Sequence, residues 1–271
     1  MRVVLALIVV AALGEAARAS AADAVDWKEI FKGKDGCFIL YDLKADKLAE
    51  EYGKERCAEP LSPASTFKIP IAVMAFDRGF LKSEESTIKW DHVDRKNPNW
   101  NRDQTPQTWF KFSTVWVTQR LVQKIGAERL QKYLADFRYG NRDMSGGLTN
   151  AWLGSTLKIS ADEQLEFLKR LWRGQLAASP KAVDLAKKSL DVDTAESGTI
   201  LQGKTGSSFL DGRKRAGGRE LGWYVGHLTR GDAEYLVVTN FSDTEKPGDL
   251  KPGGERAKAV VQDVLGRLGL Y

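Results

Sequence analysis

The stretch Pro63-Ala64-Ser65-Thr66-Phe67-Lys68-Ile69-Pro70 decides how this chain is read. Ser65 and Lys68 stand three apart, the spacing that puts two side chains on one face of a helix within reach of each other. Pro70 is tolerated only within the first turn or so of a helix, where its missing N–H costs little, and this places Ser65 at a helix start. There the backbone N–H of Ser65 has no intrahelical partner and can point at a developing oxyanion. A serine hydroxyl is a poor nucleophile until a base takes its proton. A lysine can do so when burial lowers its pKa, and Phe67, Ile69, Ile71 and Val73 offer the apolar setting. Taken alone the Ser-x-x-Lys tetrapeptide is weak evidence, because most such pairs are a surface serine and a surface lysine.

Outward from this stretch, strands stand at both ends of the chain and helices between. Cys37 to Tyr41 reads as a strand, and the polar residues Lys44 to Lys47 as a turn into a returning one. Thr199 to Gly206, Glu220 to Thr229 and Glu234 to Phe241 read as three more, the last two joined by a hairpin turn at Arg230-Gly231-Asp232. Between them, Ala127, Leu130, Leu134 and Phe137 recur at helical spacing. Ser160 and Glu163 form a capping box ahead of Leu165, Leu168 and Leu171, with Gly174 just past the end. Ser179-Pro180 reads as an N-cap followed by proline at the first helical position. Val260, Val261, Val264 and Leu268 fall on one face of a terminal helix from Gly254. The expected fold is therefore mixed α/β, an antiparallel sheet flanked by terminal helices, with an inserted helical region at roughly 62–178.

The 271 residues suffice for a substantial core. The formal charge of +5 is a mild excess without the clustered Lys/Arg stripe of a nucleic-acid binder, so no nucleic-acid partner is expected. Residues 1–21 carry one early charge, an apolar run from Val3 to Leu13 too short to span a bilayer, and Ala19-Ser20-Ala21 before a cleavage point. They read as a cleaved signal peptide, leaving residues 22–271 as an exported domain without a membrane anchor. Two cysteines and two histidines are too few for a recognisable metal framework, so no metal is expected. In an exported chain Cys37 and Cys57 can form one disulfide; two buried thiols are the plain alternative.

Two further motifs raise the weight of Ser65 and Lys68. Ser113-Thr114-Val115 opens a helical stretch and, singly, reads as a helix N-cap. Lys204-Thr205-Gly206, followed by Ser207, ends a strand; glycine there lets a ligand approach the backbone closely, and the lysine brings positive charge to a carboxylate-bearing substrate. Each is common singly, but the ordered set Ser-x-x-Lys, Ser-x-Val, Lys-Thr-Gly is much rarer. With Tyr139-Gly140-Asn141, Ser145-Gly146-Gly147, Ala151-Trp152-Leu153 and Leu157-Lys158-Ile159-Ser160, the chain resembles the class D, oxacillinase-type serine β-lactamases from about Cys37 to Phe241. The similarity is weak in the last stretch.

The resemblance implies specific roles. Ser65 would be the nucleophile, and Lys68 would carry a carbon dioxide adduct, N6-carboxylysine, as general base. Carbon dioxide or bicarbonate would be the sole accessory species. Only an unprotonated amine adds carbon dioxide, and an apolar pocket favours that form. Trp152 would donate its indole N–H to the adduct. Ser113 would relay a proton to the leaving nitrogen, and Val115 would wall off the adduct. The backbone N–H groups of Ser65 and Ser207 would form the oxyanion hole. Lys204 and Thr205 would meet the substrate carboxylate, helped by Arg256 on the last helix. Tyr139 and Asn141 would order the loop behind the site. Substrate range would depend on loop shape around Trp109, Phe110 and the Phe209 to Arg219 segment.

Small-molecule β-lactams are thus the expected substrates and the periplasm the expected compartment. A penicillin-binding transpeptidase or carboxypeptidase, or a non-catalytic β-lactam sensor domain, would use the same motifs. The expected lack of an anchor and the Trp152 loop, expected where deacylation is fast, weigh against the transpeptidase, and the sensor would need transmembrane helices and a cytoplasmic domain that are not expected here.

Overall fold

Strand β1 (Lys34–Asp42) is covered on both faces: Phe38 and Leu40 pack on one side of the sheet, Cys37, Ile39 and Tyr41 on the other. The structure, a computed structural model, describes residues 25–210, 219–244 and 251–271. The expected signal segment and most of the Phe209 to Arg219 stretch lie outside them. Five more strands complete one sheet: β2 (Lys47–Tyr52), β3 (Asp191–Thr194), β4 (Ile200–Phe209), β5 (Glu220–Arg230) and β6 (Ala233–Asp243). Their order is β2-β1-β6-β5-β4-β3, antiparallel throughout. The early and late strands meet where β1 pairs with β6, with Ile39 opposite Val238. The sheet is completed by both ends of the chain, as the sequence pattern implied.

Turns form where side chains replace the missing ladder. Asp42 Oδ1 accepts from the backbone N–H groups of Lys44 and Ala45 at 3.1 and 2.8 Å and closes the β1–β2 turn. Gly231, at φ 55°, turns β5 into β6.

One face of the sheet is covered by α1 (Trp27–Ile30) and α9 (Gly253–Arg267), through Ile30, Val260, Val261 and Val264. The other face carries the inserted helices: α2 (Lys54–Ala58), a 3₁₀ turn (Ala64–Phe67), α3 (Lys68–Asp77), α4 (Pro106–Lys111), α5 (Val115–Ile125), α6 (Ala127–Asp136), α7 (Ala161–Trp172) and α8 (Pro180–Lys188). The helical layer thus runs past 178 to Lys188, because α8 packs on α3. Helix α3 is buried from Lys68 through Phe76, which fits its lack of a polar face. Helix α7 begins at the expected capping box: Ser160 Oγ accepts from Glu163 N at 3.1 Å and Glu163 Oε2 from Ser160 N at 2.8 Å.

Cys37 of β1 and Cys57 of α2 are joined in a disulfide, with Cα atoms 5.1 Å apart. It anchors the segment that enters the nucleophile turn eight residues later. Closing a loop with a sequence separation of 20 contributes roughly 3 kcal/mol by chain entropy. The Cys37→Ala/Cys57→Ala double variant should therefore melt several degrees lower. Thiol titration of the denatured, unreduced protein should find no free thiol, and two free thiols would show the bridge absent.

Candidate active site

The chain enters the nucleophile turn through Leu61, which exchanges two backbone hydrogen bonds with Ile159 at 2.8 and 3.0 Å. Ser62 then ties three parts together. Its Oγ donates to the carbonyl of Trp152 at 2.8 Å and accepts from Gly154 N at 2.9 Å, while its carbonyl accepts from the indole N–H of Trp223 on β5 at 2.9 Å. The Trp152 loop and the sheet are thereby fixed to the backbone three residues ahead of Ser65. Ala64 is buried in the left-handed region at φ 48°, a conformation that costs an L-residue about 1–2 kcal/mol. Strain of this kind persists only where the surroundings over-determine it. Thr66 supplies part of that constraint: its N–H and hydroxyl donate to Pro63 O at 3.1 and 2.7 Å, and Gln164 of α7 donates to its Oγ1 at 2.9 Å. The expected helix start at Ser65 is a 3₁₀ turn, and the α-helix proper begins at Lys68 with Pro70 in its first turn.

Lys68 Nζ lies 3.2 Å from Ser65 Oγ. The lysine is 0 % exposed and forms no ion pair among the described residues. Burial, with the nearby charge of Lys204 adding to it, holds its pKa well below the ordinary 10.5. Burial therefore favours the neutral amine far more than it is favoured in a surface lysine. Trp152 is also fully buried, packed on Phe67 with ring centroids 5.3 Å apart. Its indole N–H has no hydrogen-bond partner among the described residues. A buried donor left unpaired costs about 1–3 kcal/mol. A neutral buried amine and an unpaired buried donor are what a carboxylated Lys68 would require.

Ser65 opens into a cleft of about 580 Å³ that Ser113, Val115, Thr205 and Ser207 also line. Five of the residues expected at the site thus share one cavity. Ser113 is not a helix cap, since Thr114 takes that position. It sits at φ 53° with its hydroxyl unpartnered among the described residues, in the cleft wall. Along β4 the side chains alternate, so Thr205 and Ser207 face the cleft. Lys204 is buried instead, its ammonium donating to Thr205 O and Oγ1, each at 3.0 Å. Burial brings its pKa down to about 8, with Asp191 acting in the opposite sense.

Two sequence readings need correction, and Gly206 has a packing role that the sequence did not show. A Cβ there would meet Pro63 O at 3.1 Å and Thr66 Cγ2 at 3.3 Å, so the glycine admits the protein's own nucleophile turn against β4. Gly254 of α9 approaches from another side, where a Cβ would lie 2.8 Å from Gly206 O. Arg256 does not line the cleft. Its Nη1 and Nη2 each donate to Asp243 at 2.8 Å, Nη2 donates also to Glu220 at 2.8 Å, and Nε to Lys251 O at 3.2 Å. Trp109 and Phe110 are core residues, 0 % and 1 % exposed; the aromatic cleft residues are Trp100 and Phe112. Trp100 reaches the site because its indole donates to Phe112 O at 2.8 Å, a contact across a loop that no periodicity announces.

The chain matches the penicillin-binding-protein transpeptidase domain over residues 33–266. It is 35 % identical over 248 residues to β-lactamase OXA-1 of Escherichia coli, covering 89 % of this chain and 87 % of that protein. It is 34 % identical to the probable β-lactamase YbxI of Bacillus subtilis strain 168, covering 89 % and 83 %. The crystal structure of a class D β-lactamase from Bacillus subtilis superposes with a TM-score of 0.79 at 33 % identity, covering 91 % of this chain and 96 % of that one. The chain belongs to the class D β-lactamase family. Class D membership agrees with the resemblance read from the motifs, and it covers the sheet and the helical layer alike.

In this class D protein the buried amine has a consequence for stability. An unfolded lysine keeps its proton up to about pH 10.5, whereas folded Lys68 loses it well below that. Between the two values the unfolded chain binds more protons, so stability rises with pH. In bicarbonate-free buffer, Lys68→Met should raise the melting temperature at pH 7, and that advantage should shrink as pH approaches 10.5. Calorimetry across the range checks it; an advantage independent of pH would mean that folded Lys68 is charged.

Proposed function

We infer that the protein hydrolyses β-lactam antibiotics through an acyl-enzyme on Ser65. As a class D serine β-lactamase it acts on cyclic amides and confers β-lactam resistance. The observation that carries the mechanism is the contact of Ser65 Oγ, which opens into the cleft, with a fully buried Lys68 that has no ion-pair partner among the described residues.

Ser65 Oγ attacks the lactam carbonyl carbon and gives up its proton on the Lys68 side. The carbonyl oxygen gains charge as the tetrahedral centre forms, and the backbone N–H groups of Ser65 and Ser207 serve as its oxyanion hole. Collapse breaks the carbonyl carbon–nitrogen bond, and the nitrogen takes a proton through Ser113. Thr205 and Lys204 hold the substrate carboxylate side, Thr205 by contact and Lys204 by positive potential from its buried position against Thr205. Val115 limits water near Lys68. Water then cleaves the Ser65 ester, which returns the hydroxyl and releases the opened acid. A carboxylated Lys68, accepting the indole N–H of Trp152, would supply a carboxylate general base for both halves of the reaction.

Among the described residues no helix is long and apolar enough to cross a membrane. The Cys37–Cys57 disulfide supports an oxidising compartment, and with the signal pattern at 1–21 it favours the periplasm.

Incubation with a good penicillin substrate should give many turnovers, with an adduct on Ser65 that disappears as substrate is exhausted. Intact-mass measurement checks this; a stoichiometric adduct lasting hours would identify a transpeptidase or a sensor instead.

Trp152→Ala should slow deacylation more than acylation, because the nucleophile and oxyanion donors remain while the donor that would hold the base is gone. Loss of a general base costs on the order of 10²–10⁴ in rate. Added bicarbonate should recover part of it by mass action. Quenched-flow separation of the two steps decides the matter, since an equal fall in both, without bicarbonate rescue, would make Trp152 a packing residue.

A further inference from the structure

With Arg256 engaged elsewhere, the cleft still contains a cation from helix α9. Lys258 lies two residues on, in the wall that also holds Thr205 and Ser207. Its Nζ is 3.2 Å from Asp193 and 3.8 Å from Asp191, both on edge strand β3, and its side chain is 24 % exposed. Asp191 is itself in the cleft wall.

Four of the five guanidinium N–H donors of Arg256 are used, three of them on Asp243 and Glu220. Asp243 is even more buried than the arginine, at 4 % against 6 % side-chain exposure. Drawing Arg256 toward a ligand would strand that carboxylate without a counter-ion, which is strongly unfavourable. Arg256 is a structural residue that fixes the start of α9 against β5 and β6.

Lys258 is placed differently. Asp193 is also bonded by Gln262 at 2.7 Å, so it has a second donor if the lysine moves. The contact with Asp191 is the longer of the two and borders the cavity. An ammonium is a compact charge with three donors on a flexible stem, able to keep one carboxylate and accept another. A substrate carboxylate entering beside Thr205 would otherwise meet the negative charge of Asp191 in the same wall. Glu255 adds a second carboxylate to the cleft wall and Lys111 a second ammonium, but Lys258 is the cleft cation that contacts Asp191 directly.

We propose that Lys258, rather than Arg256, is the α9 residue that binds the substrate carboxylate, exchanging its looser contact with Asp191 for the ligand while Asp193 holds its position. The assignment rests on the β-lactamase reading of the site and makes Lys258 and Asp191 determinants of selectivity for anionic β-lactams.

The test is Lys258→Met, which keeps the stem and removes the charge. Steady-state constants are measured with a penicillin, and single-turnover acylation of Ser65 with the penicillin and its methyl ester. The unaltered protein should favour the free acid. In the variant KM for the acid should rise about 10- to 100-fold, the range of a lost charge-assisted hydrogen bond, with kcat within about threefold. Acylation by the ester should be unaffected, so the preference for the acid largely disappears. An unchanged KM, or equal losses with acid and ester, would overturn the assignment. Failure of the unaltered protein to open any β-lactam would instead refute the hydrolase reading, which keeps the two outcomes separate.

Discussion

An amine buried without a counter-ion, 3.2 Å from a serine hydroxyl, is the constraint around which this molecule is built. Placing Lys68 there is unfavourable for folding, and no local feature of the nucleophile segment offsets it. The apolar residues that follow, Ile69 through Phe76, are almost wholly buried and set the lysine in a medium where its charged form is penalised. The helix that carries the lysine is also the helix about which the inserted layer packs. Core and site are thus made from one run of sequence, and a cavity or polar residue introduced along α3 would alter both.

The surroundings of that pair are held by contacts between segments far apart in the chain. Ser62 joins the nucleophile turn to residues 152 and 154 on one side and to Trp223 on the other. Gly206 and Gly254 let β4, the turn and α9 approach at backbone distance. These are short-range, geometrically strict interactions around the nucleophile turn, and they explain how Ala64 can be kept in the left-handed region, where Ser113 of the cleft wall also lies. The strained residues stand next to the nucleophile and in the cleft wall, where fixed geometry has catalytic value.

Charge in the cleft is arranged in two tiers. Lys204 is buried, bonded to Thr205, and its charge acts at a distance on Lys68. Lys258 and Asp191 lie in the wall itself. One cation is fully buried and disfavours charge on Lys68, while the other is half-buried and borders the open cleft. An exposed lysine would act less on Lys68, since solvent screening weakens its field.

By itself the sequence determined the antiparallel sheet closed by both ends of the chain, the inserted helices, the Ser65–Lys68 pair and the residues Ser113, Val115, Thr205 and Ser207 that share its cleft. Each was legible because it depends on spacing along the chain: period two in strands, period 3.6 and capping boxes in helices, and short motifs whose members lie on one turn or one strand face. The tertiary structure alone decided that Gly206 faces the nucleophile turn, that Arg256 is taken by Asp243 and Glu220, that Trp109 and Phe110 belong to the core, and that Trp100 and Lys258 reach the cleft. Those outcomes depend on which distant segments meet, and a long polar side chain takes whichever partner packing brings within a hydrogen bond's length. Arg256 and Lys258 are both cations on the same helix, two residues apart. What separates them is a rotation of about 200° around the helix axis, which turns one toward buried carboxylates and the other toward the cleft.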